Sequence, residues 1–358
     1  MVVKYFTRED TKVLKGLAII LMLLFHLWAF PDRIVGEGVK TFLLPPSLIV
    51  YIGKMGHICV PMFLFLGGYG TYKIYEGGNF SITKRLLKVY FSYWEIFCIF
   101  VPIGYIFCSN QPIYCSDYNI CTRFLEFDFN RLLLNLLGLF KNTQAFNSEW
   151  WFLFLYAMYI LTFPIVIKII HLNNKYLNCF ILLIFTIIAK VLAINNCFGI
   201  NLDYVYLYVI YFPVFYIGSL MAYNNRFEFY VKKYINQSLS KILDLIFLTL
   251  ILVFRTYILH ENFDFITIPI FCVISCDFFI QKRIIRGILI KFGQHSTTIW
   301  LTHTFYCYYF YIFAKIIIAP QYAISTFIWF LFVSLFTAMI IDRIYLYMNK
   351  RIGYLLHN

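Results

Sequence analysis

Apolar residues in this chain gather into long runs, without the one-faced or alternating pattern of elements that border water. Ten runs are close to the roughly 20 residues a helix needs to cross a bilayer. They cover 13–31, 48–72, 89–108, 150–170, 176–194, 203–223, 241–259, 263–281, 293–314 and 322–342. Pro and Gly fall inside several, which membrane helices tolerate because neighbours re-satisfy the backbone. The pattern predicts an all-α fold: a polytopic transmembrane bundle of about ten helices forming one domain over 1–358. The first run follows Lys12 and Lys15 like a signal peptide, but Pro31, Asp32 and Arg33 follow it in place of a small-residue cleavage site. It reads as a retained helix. The longest polar stretch, 109–149, contains a short amphipathic or re-entrant piece from Arg131 to Phe140.

Composition agrees with lipid as part of the solvent. Hydrophobic residues make up 62% of the 358 and charged ones 13%, with a mean hydropathy of +0.76. Soluble domains carry about a quarter charged residues. The 30 Tyr and 41 Phe suit helices that need interfacial anchors.

The net charge of +13 sharpens the picture through its placement. With the N-terminus inside, 21 of the 30 Lys and Arg fall in cytoplasmic segments and 7 outside, while Lys54 and Lys190 lie within spans. Such a bias sets orientation, so both termini are expected in the cytoplasm. It also accounts for the basic residues without nucleic acid. The ten Cys form no CxxC pair, and no metal framework is visible. Cys108, Cys115 and Cys121 cluster in one polar loop, where two of them are candidates for a disulfide if it faces an oxidising space.

Ionisable residues inside spans are costly and mark function by default. Lys15 opens the first span and His26 follows eleven residues later. That spacing puts both on one helix face, about 16 Å apart, with a cation at the cytoplasmic surface and an imidazole expected near the midplane. A topology anchor and a satisfied core histidine are the plain alternative. Glu149 stands at an outer boundary beside Trp150 and Trp151. Ser296 and His303 share a face of the ninth span, about 10 Å apart. Arg85 and Lys88 are i,i+3 neighbours that suit a phosphate clamp or ordinary positive-inside charge. The glycine cluster Gly67, Gly68 and Gly70 ends the second span, where close helix packing is the simplest role.

Taken in order, these segments resemble the membrane-bound acyltransferase 3 family. Its R/K-X10-H motif is similar to Lys15-X10-His26, within VLKGLAIILMLLFH. Its GVxxFFxLSGY motif resembles CVPMFLFLGGY, with Cys59 and Gly67 in place of the usual Gly and Ser. Arg85-x-x-Lys88, Trp151-Phe152-Leu153, and the set Gly293, Ser296, Ile299 and His303 resemble three further elements. The resemblance implies transfer of an acyl group, usually acetyl, from cytoplasmic acyl-CoA to a hydroxyl. The acceptor it implies is a surface-glycan sugar or its lipid-linked precursor, at a bacterial plasma membrane. No fused SGNH-type hydrolase domain is expected. Lys15, Arg85 and Lys88 would meet the phosphates of CoA. His26 would act as general base, with His303 or Glu149 orienting it or the acceptor. Trp151 or Ser296 would assist at the thioester. A transporter or glycan flippase, and a non-catalytic sensor or scaffold, are the alternatives. Internal repeats or paired broken helices would favour the former.

Overall fold

The computed structural model describes residues 6–42, 44–107, 124, 127–139, 145–194, 203–237, 240–280 and 282–357. The three cysteines Cys108, Cys115 and Cys121 lie outside them. The described residues are almost all helical, with no strand and one isolated bridge, Lys40 to Tyr322. In chain order the helices are α1 (Arg8–Trp28), α2 (Asp32–Val35), α3 (Pro46–Met55), α4 (Cys59–Glu76), α5 (Ile82–Phe107), α6 (Phe129–Leu136), α7 (Trp151–His171) and α8 (Lys175–Ile194). They continue with α9 (Asp203–Tyr223), α10 (Arg226–Gln237), α11 (Lys241–Phe254), α12 (Asp264–Ile280), α13 (Arg283–Gln294), α14 (Ser296–Thr304), α15 (Tyr311–Ile318) and α16 (Ala323–His357).

Eight stretches are long and apolar enough to cross a membrane. One of them, Lys241–Phe279, holds two of the expected runs. It is interrupted by a π-helical turn at Arg255–Leu259 and a 3-10 turn at His260–Phe263, and α11 packs back on α12. The ninth expected run, 293–314, is not one helix. It breaks at His295, becomes α14, passes through a π-helical turn at Phe305–Tyr309, and resumes as α15 after the extended Phe310.

Two compact units divide the chain. The first comprises Met1–Ala18, His57–Leu86 and Leu155–Gly293; the second comprises Ile19–Gly56, Leu87–Phe154 and Gln294–Asn358. Helix α1 is continuous, its start in the first unit and its remainder in the second.

In the first unit, α1 begins five residues before the apolar run because Thr7 and Asp10 cap it reciprocally. The Asp10 carboxylate accepts from the Thr7 amide at 2.8 Å, and the Thr7 hydroxyl accepts from the Asp10 amide at 3.3 Å. Arg286 on α13 then pairs with Glu9 and Asp10 at 2.9 and 3.3 Å. Backbones approach closely at two crossings. A Cβ on Gly16 would stand 2.0 Å from the Leu289 carbonyl oxygen, and one on Gly293 would stand 1.9 Å from that of Lys12. Helices α4 and α9 meet the same way: a Cβ on Gly68 would lie 2.1 Å from the Phe215 oxygen, and one on Gly218 would lie 2.3 Å from the Phe65 oxygen. Small residues let membrane helices approach to this distance.

In the second unit, Trp150 is the buried centre. Its indole donates to the Leu301 carbonyl at 3.0 Å and meets Tyr93 edge-on at 4.9 Å. Helix α6 is the short piece expected near Arg131, capped by Asp128 and tied to α5 by Tyr93 and Trp94, which donate to the Asn135 and Leu136 carbonyls.

Candidate active site

Three of the side chains expected to carry chemistry converge inside the second unit. His26 comes from the last turn of α1, two residues before its end, so it sits nearer the far end of the helix than its middle. The helix starts early at its cap and stops as the chain approaches Pro31. Glu149 lies in the 3-10 turn Ser148–Trp150 that opens α7. His303 lies one residue before the end of α14, just ahead of the π-helical turn. The Glu149 Oε1 atom stands 3.9 Å from Nδ1 of His26, and the rings of His26 and His303 are 4.7 Å apart, edge to face.

Glu149 is held from several sides. The Tyr309 hydroxyl donates to its Oε2 at 2.9 Å, and the Ser148 hydroxyl reaches the same atom at 3.1 Å. Tyr309 also accepts from the Ser148 amide at 2.9 Å. Behind the carboxylate, the Trp300 indole donates to the Glu149 carbonyl at 3.2 Å. One carboxylate oxygen is thereby occupied, and the other is turned toward His26.

His303 has a defined tautomer. Its Nδ1 lies 2.8 Å from the Trp300 carbonyl and 3.2 Å from that of Ile299. Carbonyls only accept, so the proton sits on Nδ1, and Nε2 of the neutral ring is an acceptor. That Nε2 is buried and has no hydrogen-bond partner among the described residues.

The π-helical turn and the short helix α2 add residues that the chain pattern did not single out. Tyr308 places its ring 6.4 Å from that of His26. Arg33, read from the sequence as an outer-loop charge, is 7% exposed, with its guanidinium 4.0 Å from the Tyr308 ring centre and 4.3 Å from that of Phe30. Tyr308 and Tyr309 are two among 30 tyrosines. The one signal available for them was position, following closely on His303.

Each of the other candidates has its own surroundings. Ser296 opens α14, about 10 Å along the axis from His303. Trp151 is half-buried and meets Phe152 edge-on; the tryptophan packed in the interior is Trp150. Lys15 is half-buried on α1 in the first unit. Arg85, also in the first unit, donates to the Tyr156 hydroxyl at 2.8 Å, whereas Lys88 is exposed and falls in the second. The carboxylate–imidazole cluster is equipped to take a proton from a hydroxyl, and basic residues at the start of α1 and of α5 are suited to phosphate.

A family model described as an acyltransferase domain, acyltransferase 3, matches residues 10–343. The chain belongs to the acyltransferase 3 family. It is a multi-pass membrane acyltransferase. The match takes in both units and all eight candidate site residues. No curated protein and no solved structure gives a significant match.

Proposed function

We propose that this acyltransferase moves an acetyl group from acetyl-CoA to a sugar hydroxyl of a surface polysaccharide or its lipid-linked precursor, in a bacterial plasma membrane. The observation that carries the proposal is the meeting of the half-buried His26 and Glu149 with the buried His303. An imidazole titrates near neutrality and suits a general base, and a carboxylate beside its Nδ1 favours the imidazolium that forms.

In this reading the acceptor oxygen attacks the thioester carbonyl carbon while His26 takes the hydroxyl proton. A C–O bond forms, the C–S bond breaks, and the thiolate of CoA leaves and takes back the proton held by His26, which returns the imidazole to its starting state. Glu149 orients His26 and balances its charge. The lone pair on His303 Nε2 accepts from the acceptor hydroxyl or from His26. Lys15, Arg85 and Lys88 are assigned to the phosphates of CoA by their charge. Ser296 and Trp151 are assigned to the donor's path.

The test supplies radiolabelled acetyl-CoA to the full chain in lipid nanodiscs with purified surface glycan, and follows O-acetyl content by NMR. Label and O-acetyl groups entering the glycan support the proposal. Movement of glycan across vesicles without acetylation would assign transport instead.

A further inference from the structure

Six side chains that carry a formal charge, histidine aside, are buried among the described residues, and five of them have an ionic partner. Arg255 pairs with Asp264 at 2.9 Å, Asp10 with Arg286 at 3.3 Å, and Asp244 and Asp277 both pair with Lys241. Arg33 is the exception. At 7% exposure it has no carboxylate within ion-pair distance among the described residues, and its Nη1 is buried with no hydrogen-bond partner among them. Burying an unpaired cation is expensive, and the faces of Phe30 and Tyr308 offset only part of that cost.

Two more unpartnered polar atoms belong to the same cluster. The Tyr308 hydroxyl and His303 Nε2 are both buried without partners. Buried polar groups are nearly always satisfied, so a local concentration of exceptions calls for an explanation. Here the chemistry is complementary. Arg33 and Tyr308 offer N–H and O–H donors, whereas His303 offers an acceptor. Acyl transfer brings a carbonyl oxygen that must accept hydrogen bonds and a hydroxyl that must donate one.

We propose that Arg33, seconded by Tyr308, is the oxyanion site of the transfer, a role that rests on the acyltransferase mechanism above. As the acceptor oxygen bonds to the thioester carbon, the carbonyl π pair moves onto oxygen, and that charge meets the guanidinium that has no carboxylate partner of its own. When the C–S bond breaks, the pair returns to the carbonyl and the charge leaves with sulfur. Donors aimed at a developing oxyanion in a dry site are worth roughly 10²–10³-fold in turnover each.

The experiment uses the full chain in nanodiscs and the variants Arg33→Gln, Arg33→Lys and Tyr308→Phe. Turnover of acetyl-CoA is measured first, with melting temperature as a folding control. Arg33→Gln is expected to lower kcat roughly 10²–10³-fold with KM for acetyl-CoA little changed, and Arg33→Lys is expected to recover part of it. Tyr308→Phe, which removes one hydroxyl from a buried ring, is expected to lower kcat in the same sense. A second readout is the infrared carbonyl band of 13C-labelled acetyl-CoA bound to His26→Ala protein. It is expected to lie at lower frequency than in water and to move back when Arg33→Gln is added. If wild-type protein transfers acetyl but these substitutions leave both kcat and the band unchanged, the oxyanion role is wrong while the acyltransferase mechanism stands. If the substitutions lower the melting temperature and activity together with no change in the band, Arg33 is a structural staple and the role is likewise refuted. Wild-type protein that neither binds nor turns over acetyl-CoA refutes the mechanism itself.

Discussion

Glu149 presents one carboxylate oxygen to His26 at 3.9 Å while Tyr309 and Ser148 hold the other. This division fixes the carboxylate's orientation independently of the imidazole. Glu149→Gln keeps the size and the Tyr309 bond but removes the charge that favours imidazolium. Acyl transfer is expected to fall about 10²-fold or more, with melting temperature unchanged, in an acetyl-CoA turnover assay.

The Tyr309 hydroxyl is the main support of that carboxylate, donating at 2.9 Å and accepting from the Ser148 amide. Tyr309→Phe removes these two bonds and the 2.6 Å hydrogen bond with the Ser148 hydroxyl. Each is worth about 0.5–1.5 kcal/mol net, so turnover is expected to drop by about tenfold. Combined with Glu149→Gln, the loss is expected to be less than the product of the two, because the residues act through one contact.

Much of the architecture was legible in the chain. Runs of apolar residues mark nine of the ten expected spans within eight stretches, because lipid leaves a helix little choice of composition. The ninth was misread as continuous. The polar cluster Gln294, His295, Ser296, Thr297 and Thr298 coincides with the break at His295, whereas the aromatic stretch after His303 carries no mark of the π-helical turn that delivers Tyr308 and Tyr309. His26, Glu149 and His303 stood out because ionisable groups within or bordering spans are conspicuous. Arg33 did not. It follows Pro31 as one more loop cation, and only the fold of α2 buries it against Tyr308.

The glycine cluster of α4 separates packing from chemistry. A Cβ at Gly68 would stand 2.1 Å from a backbone oxygen, whereas at Gly67 the nearest atom is a side-chain carbon of Phe215 at 4.0 Å. Gly68→Leu is expected to destabilise the protein by about 1–3 kcal/mol or more, and Gly67→Ser to be tolerated, both read as melting temperatures in detergent. Full activity in Gly67→Ser would show that the serine usual at that family position is compatible with this site and not required by it.

Arg255 and Asp264 form a bidentate pair, at 3.0 and 2.9 Å, with exposures of 2% and 0%. His57 lies 3.2 Å from the same guanidinium. Removing Asp264 leaves the buried guanidinium the longer ionic contact to Glu261 at 3.8 Å, and breaking a buried pair costs up to about 3–5 kcal/mol. Asp264→Ala is therefore expected to lose thermal stability strongly, and Asp264→Ala with Arg255→Met to regain part of it, as measured by unfolding in detergent.

The central claim is that His26 accepts the proton of the acceptor hydroxyl. Its most direct test is the initial rate of label transfer from radiolabelled acetyl-CoA to glycan by His26→Ala protein, folded in nanodiscs and compared with wild type. A rate reduced at least about 10²-fold, with acetyl-CoA still bound, is the predicted result. Transfer at the wild-type rate would contradict the account.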